Sequence, residues 1–234
     1  MAVAVAGMPL VTPTHGPVTV RYRVTRTIPV GGLPYAVAVD SAAHTVYVAN
    51  RADDMVSVID AATGTVTRTI PVGSGPSGIA VDSAARTVYV ANEFEDTVSV
   101  IDAATGTVTR TIPVGAYPFG VAVDPAAGTV YVANADFGSH STVSVIDAAT
   151  GNVTRTIPVG YGPGWVAVDP AARTVYVADF GGSTVSVIDG ATSTVTATVR
   201  VGSDPEGVAV DPGIHTAYVA NDGGNSVSMI SRCM

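Results

Sequence analysis

The sequence contains no lysine. All eleven of its basic residues are arginine, set against nineteen acids for a formal charge of −8. With so few and such scattered cations there is no basic stripe to follow a phosphate backbone, and nucleic acid is not expected as a partner. Cysteine is nearly absent as well. Cys233 stands alone, which rules out an internal disulfide framework and any multi-cysteine metal site. Long apolar runs are missing. Nowhere do about 18 apolar residues follow one another, so no membrane-spanning helix is expected. The apolar opening Met1 to Val11 lacks the basic start and the length of a signal peptide. No helical period appears, whereas Val and Thr alternate throughout, the pattern of half-buried strands.

What is present is repetition. Tyr-Val-Ala-Asn or a near copy begins at Tyr47, Tyr89, Tyr131, Tyr176 and Tyr218, spaced by 42, 42, 45 and 42 residues. Each copy reads Pro-x-Gly-Val-Ala-Val-Asp, then Thr-Val-Tyr-Val-Ala-Asn, Thr-Val-Ser-Val-Ile-Asp and Val-Thr-Arg-Thr-Ile-Pro-Val-Gly. These are strands A, B, C and D. The A–B connection (Asp124 to Gly128) and the C–D connection (Asp102 to Gly106) are rich in Asp, Pro and Gly, the chemistry of tight hairpins. Four antiparallel strands in a unit of roughly 40 residues cannot bury both faces alone and must stack on neighbours as propeller blades.

D-type strands start at Val24, Val66, Val108, Val153 and Val195, so the chain opens on a D and finishes on an A, B and C. The expected fold is therefore all-β: a five-bladed β-propeller of four-stranded antiparallel blades, closed by the N-terminal strand completing the last blade. Closure would remove the open edges. The alternative is a piece of a larger ring. Domain bounds follow: a lead-in over 1–23, one propeller over 24–231 and a tail over 232–234.

The Tyr-Val-Ala-Asn and Val-Ile-Asp-Ala-Ala-Thr-Gly copies resemble the YVTN-type β-propeller repeat family, over residues 24 to 231. Ala49, Ala91, Ala133, Ala178 and Ala220 stand where the family motif has Thr, and relatives commonly have seven blades. The resemblance implies a propeller, often in bacterial envelope or extracellular proteins, with no single shared activity and no catalytic residues. A secreted or envelope setting is the expectation it brings, with cytoplasm as the alternative.

Residues can be sorted by the end of the blade they occupy. Nine acids sit at repeated turn positions (Asp40, Asp82, Asp124, Asp169, Asp211, Asp60, Asp102, Asp147 and Asp189) and read as turn caps. The other ten are Asp53, Asp54, Glu93, Glu95, Asp96, Asp136, Asp179, Asp204, Glu206 and Asp222, all in B–C or D–A connections. Arg51 is the one base among them. Aromatics share that end: Phe94, Phe119, Phe137, Phe180, Trp165, Tyr35, Tyr117 and Tyr161. Acids beside rings suit cations, basic peptides or sugars.

The position after each loop proline should lie near the axis, and reads Tyr35, Ser77, Phe119, Gly164 and Glu206. Trp165 stands where Gly78, Gly120 and Gly207 stand in other copies, narrowing the central mouth. The third unit carries three extra residues in its B–C loop, with Asp136, Phe137 and His140.

Catalytic constellations are missing. His44 and His215 belong to the opposite turns, His15 to the lead-in, and no nucleophile, zinc or phosphate-loop motif is found. The Asn221 to Asn225 run looks calcium-like, but no fixed-spacing loop supports a Ca²⁺ site, and no cofactor is expected. The reading is a non-catalytic binding or scaffolding module, expected to be a monomer. It would use the acidic, aromatic face toward a protein, a basic peptide or a small ligand. The alternative is a propeller lyase or hydrolase, similar to streptogramin-type lyases at fold level only, with Glu206 and His140 as acid and base.

Overall fold

The computed structural model describes residues 23–136 and 140–231. Blade one is β1 (Pro34–Asp40), β2 (Thr45–Asn50), β3 (Met55–Asp60) and β4 (Thr65–Pro71), and blade two is β5 (Pro76–Asp82), β6 (Thr87–Asn92), β7 (Thr97–Asp102) and β8 (Thr107–Pro113). Blade three comprises β9 (Pro118–Asp124), β10 (Thr129–Asn134), β11 (Thr142–Asp147) and β12 (Val153–Pro158). Blade four comprises β13 (Pro163–Asp169), β14 (Thr174–Asp179), β15 (Thr184–Asp189) and β16 (Thr194–Arg200), with a short 3-10 turn at Phe180–Gly182. The fifth sheet has β17 (Pro205–Asp211), β18 (Thr216–Asn221) and β19 (Ser226–Ser231). Every sheet is an antiparallel meander in chain order.

The period-two pattern gives each blade two apolar faces, and each core is an interface between consecutive blades. Tyr47, Ala49 and Val56 of blade one pack on Ile79, Val88, Val90 and Ile101 of blade two. The same arrangement recurs from blade two to three, three to four and four to five. The A strands are innermost and pack serially, β1 on β5, β5 on β9, β9 on β13 and β13 on β17. The turn acids do what their positions suggest. Asp40 Oδ1 accepts from the Ala42 and Ala43 amides at 3.0 Å, and Asp102 Oδ1 from Ala104 and Thr105 at 2.7 and 2.9 Å. Backbone amides of Thr63, Thr105 and Thr150 hold the Asp60, Asp102 and Asp147 carboxyls below the usual carboxylate range.

Five blades are present, but the expected closing strand is not formed. Residues 23–30 lie in no strand and the fifth sheet stops at three. That segment is seated against blade one. Arg26 Nη1 donates to the Thr63 carbonyl of blade one, as Arg68 of strand D in blade one donates to the Thr105 carbonyl of blade two. The segment thus occupies the outer-strand place of a blade that would precede blade one. It does not pair with β19.

Both terminal faces are consequently open. Val37 and Val39 are 64% and 61% exposed, although Ile79, the counterpart of Val37 in blade two, is 8% exposed; Val227 and Met229 at the other end are 64% and 67% exposed. Unpaired edges carrying apolar side chains drive association. The wild type is expected to rise in mass in concentration-series light scattering, and the double variant Val227→Lys/Met229→Lys should melt with the wild type while removing that rise. An identical series for both proteins would show that these faces are not sticky.

Candidate functional site

Where the A strands begin, the position after each proline places side chains around a common mouth. Tyr35 (β1) and Phe119 (β9) meet edge to face, centroids 5.6 Å apart at 89°, and Phe119 meets Trp165 (β13) at 5.9 Å and 83°. These rings, with Phe180, Pro163 and Glu206 (β17), line an open depression of about 190 Å³. A second hollow of about 340 Å³ adjoins it, running from Trp165 and Glu206 to Asp222 and Asn225. The structure therefore brings together five of the residues singled out in the sequence: Tyr35, Phe119, Trp165, Phe180 and Glu206.

Ser77 is the buried member of the ring. Its hydroxyl lies 3.0 Å from the Pro118 carbonyl and 3.1 Å from that of Phe119, tying blade two to blade three where a larger side chain would not fit. Its place in the sequence pattern, a small polar residue among aromatics, was the signal.

Beside the mouth sits a preformed cation cluster. Arg51 Cζ lies 5.1 Å from the Tyr35 centroid and 5.2 Å from that of Phe94, and Arg51 Nη2 donates to Glu93 Oε2 at 2.6 Å. Glu93 is buried, so it serves the protein's own arginine rather than a partner. Burial pushes the Tyr35 hydroxyl above its ordinary value; Arg51 opposes this, while Glu93 and Glu206, which lines the same depression, add to it.

Several other acids are loop clasps. Asp53 Oδ2 accepts from the Gly32 amide at 2.7 Å, Asp54 Oδ1 from Gly75 at 2.8 Å and Asp96 Oδ1 from Tyr117 at 2.9 Å, each joining a B–C loop to a D–A loop. These carboxylates hold the loops of the face together, Asp53 and Asp96 while still exposed. Glu95, Asp222, Tyr117 and Tyr161 stay exposed on it, and the Asp222 amide donates to the Asp204 carbonyl at 2.9 Å. In the third blade His140 Nδ1 faces Asp136 Oδ2 at 3.9 Å and is not among the lining of the mouth. Phe137 lies outside the described residues. Among the described residues no three or more His, Cys, Asp or Glu are gathered as metal ligands, and no helix is long and apolar enough to cross a membrane.

Sequence reasoning missed the character of Asp179. It is wholly buried at the end of β14, and burial pushes its carboxyl up to about 6 against hydrogen bonds from Ser186 and Thr184. The signal was available. The other four copies have Asn50, Asn92, Asn134 and Asn221 there.

With this geometry established, a family model for YNCE-like beta-propellers matches residues 30–125, 74–141 and 120–231. The chain belongs to the YNCE-like β-propeller family. No curated protein matches it. Among solved structures, Kuenenia stuttgartiensis hydrazine synthase superposes with a TM-score of 0.76 at 26% identity, covering 85% of this chain and 58% of that one. The YNCE-like chain thus spans under two thirds of that protein's length.

Proposed function

We propose that this YNCE-like propeller is a non-catalytic binding or scaffolding module that engages a partner through the loop face around the mouth. Its units are read as YVTN-type repeats, in the secreted or envelope setting that this resemblance suggests. The observation that supports the reading is the row of rings Tyr35, Phe119 and Trp165 lying open beside Glu206. Large apolar rings left in a concave, solvent-facing position, with an acid converging on them, are characteristic of recognition sites. Among the described residues the strongly exposed rings, Tyr35, Phe94, Tyr117, Tyr161 and Phe180, all belong to this face.

The test is binding of a defined basic peptide, such as an alternating Arg-Gly 12-mer, measured by interferometry at low and moderate salt. The wild type should bind and weaken as salt rises. Glu95→Lys/Asp222→Lys should reduce affinity at least tenfold while leaving the circular dichroism unchanged. Equal affinity of this variant and wild type would remove the loop face from the binding surface.

A further inference from the structure

The loop face already holds one organic cation of its own, and the same elements recur beside it without one. At Arg51, a guanidinium is flanked by two rings at 5.1 and 5.2 Å and paired with a carboxylate at 2.6 Å. Across the mouth, Trp165 and Phe119 stand nearly perpendicular at 83°, and the exposed Glu206 joins them in lining the depression. None of the residues lining this depression, or the hollow next to it, is basic. Among the described residues no Arg or His forms an ion pair with Glu206, in contrast to Glu93.

From this we infer that the Trp165–Glu206 corner of the mouth is a receptor site for the head group of an organic cation, a guanidinium or a substituted ammonium. It rests on the reading of the loop face as a recognition surface, and adds what that surface takes.

Three features make a cation the matching ligand. The walls are aromatic, so a cation has ring faces whose quadrupole attracts positive charge to meet, and their apolar bulk lowers the local dielectric. A lone carboxylate at the rim supplies a charge-assisted hydrogen bond that a neutral ligand cannot match. Asp222 borders the adjoining hollow, so the charged groups lining the two hollows are both acids, while the nearby Arg51 is already paired with Glu93. The perpendicular setting of Tyr35, Phe119 and Trp165 gives walls on more than one side, which suits a compact head better than a flat sugar ring needing one broad stacking surface. The site is open at 190 Å³, room for a head group with its chain leaving toward solvent.

Trp165 is the only tryptophan, so intrinsic fluorescence reports this corner directly. The ligands to titrate are propylguanidine against propylurea, and choline against 3,3-dimethylbutanol, each pair sharing a shape and differing in charge. At least one cation should shift the emission saturably, at a concentration tenfold or more below its neutral counterpart. Glu206→Gln should erase that difference, whereas Asp211→Asn, at an exposed turn acid of the opposite end whose side-chain oxygen still accepts from the Gly213 amide, should keep it. Because Gln preserves size and Glu206 is exposed, the variant should fold, as circular dichroism will verify. An arginine tripeptide run alongside separates the two sources of such a head: tighter binding than propylguanidine assigns a peptide side chain, equal binding a free small molecule. Neutral and charged ligands binding alike, or a cation response that survives Glu206→Gln, would overturn the inference. If small cations bind but the basic peptide above does not, the corner stands and the larger partner surface falls; peptide binding with no cation response gives the reverse.

Discussion

Gly78→Ala is expected to cost about 3 kcal/mol of stability, near the top of the range for adding a methyl group to a packed interior. For a protein of this size that lowers the melting temperature by about 10 °C. The cause is backbone, not side chain. A Cβ at Gly78 would run into the Phe119 carbonyl oxygen and come within 3.1 Å of the Val121 amide nitrogen and 3.2 Å of the Gly120 Cα, all on β9. None of these can rotate aside, so β5 and β9 must part, and the Ser77 hydroxyl loses its grip on Pro118 and Phe119. Gly164→Ala is the matched control, since its Cβ would meet nothing within 4 Å, and it should melt with the wild type. Thermal melts of the two variants side by side decide the matter. If both melt alike, the innermost strands are not packed as closely as described, and the geometry of the mouth fails with them.

The same close approach explains how much of the site could be read from the sequence. Repeated residues report what a position does in every blade, so the strands, the hairpins and the buried faces followed from the period alone. Gly78 and Gly120 are dictated in this way: a Cβ at Gly120 would fall 2.6 Å from the Gly164 carbonyl oxygen. Departures from the repeat were informative too. Trp165 breaks the glycine pattern where a depression, not a neighbouring carbonyl, receives the side chain, and that break marks the mouth in the sequence itself. The acids were harder, because Asp53 and Glu95 look alike as letters in a loop; only geometry shows that Asp53 clasps Gly32. Arg51 was visible as the one base of the face, yet its two rings and its carboxylate come from three separate segments. Closure was illegible for another reason. Every blade interface uses the same residues, so the sequence says that a last face would fit a first one, but the number of steps per turn is a property of the assembled stack. Arg26 finds its partner on blade one whether or not the ring closes.

Asp179→Asn should stabilise the protein at neutral pH by up to about 3 kcal/mol and do nothing at pH 3.5. In the four other blades the asparagine amide nitrogen donates to the facing serine, as Asn92 Nδ2 does to Ser99 Oγ at 2.9 Å. In blade four the direction is reversed, with Ser186 Oγ and Thr184 Oγ1 donating to Asp179 Oδ2 at 2.8 and 3.0 Å. Two hydroxyls cannot replace the water that a buried carboxylate gives up, so burial raises the folded-state pKa from 3.8 to about 6. The sign follows from proton uptake. Between those values the folded chain holds a proton that the unfolded chain has released, so the contribution of this group to stability falls as pH rises. Below 3.8 both states are protonated and the group costs nothing; above about 6 the full cost of about 3 kcal/mol is present. Asparagine has no charge to bury, and two hydroxyl rotations restore the pattern of the other blades, with the Gly160 amide still donating to Ser186 Oγ at 3.0 Å. Denaturant unfolding of variant and wild type at pH 3.5 and pH 7.5 isolates the effect, because every other titrating acid is common to both proteins. A gain of equal size at the two pH values would mean that the aspartate is not ionising in the folded blade, and its burial would need another explanation.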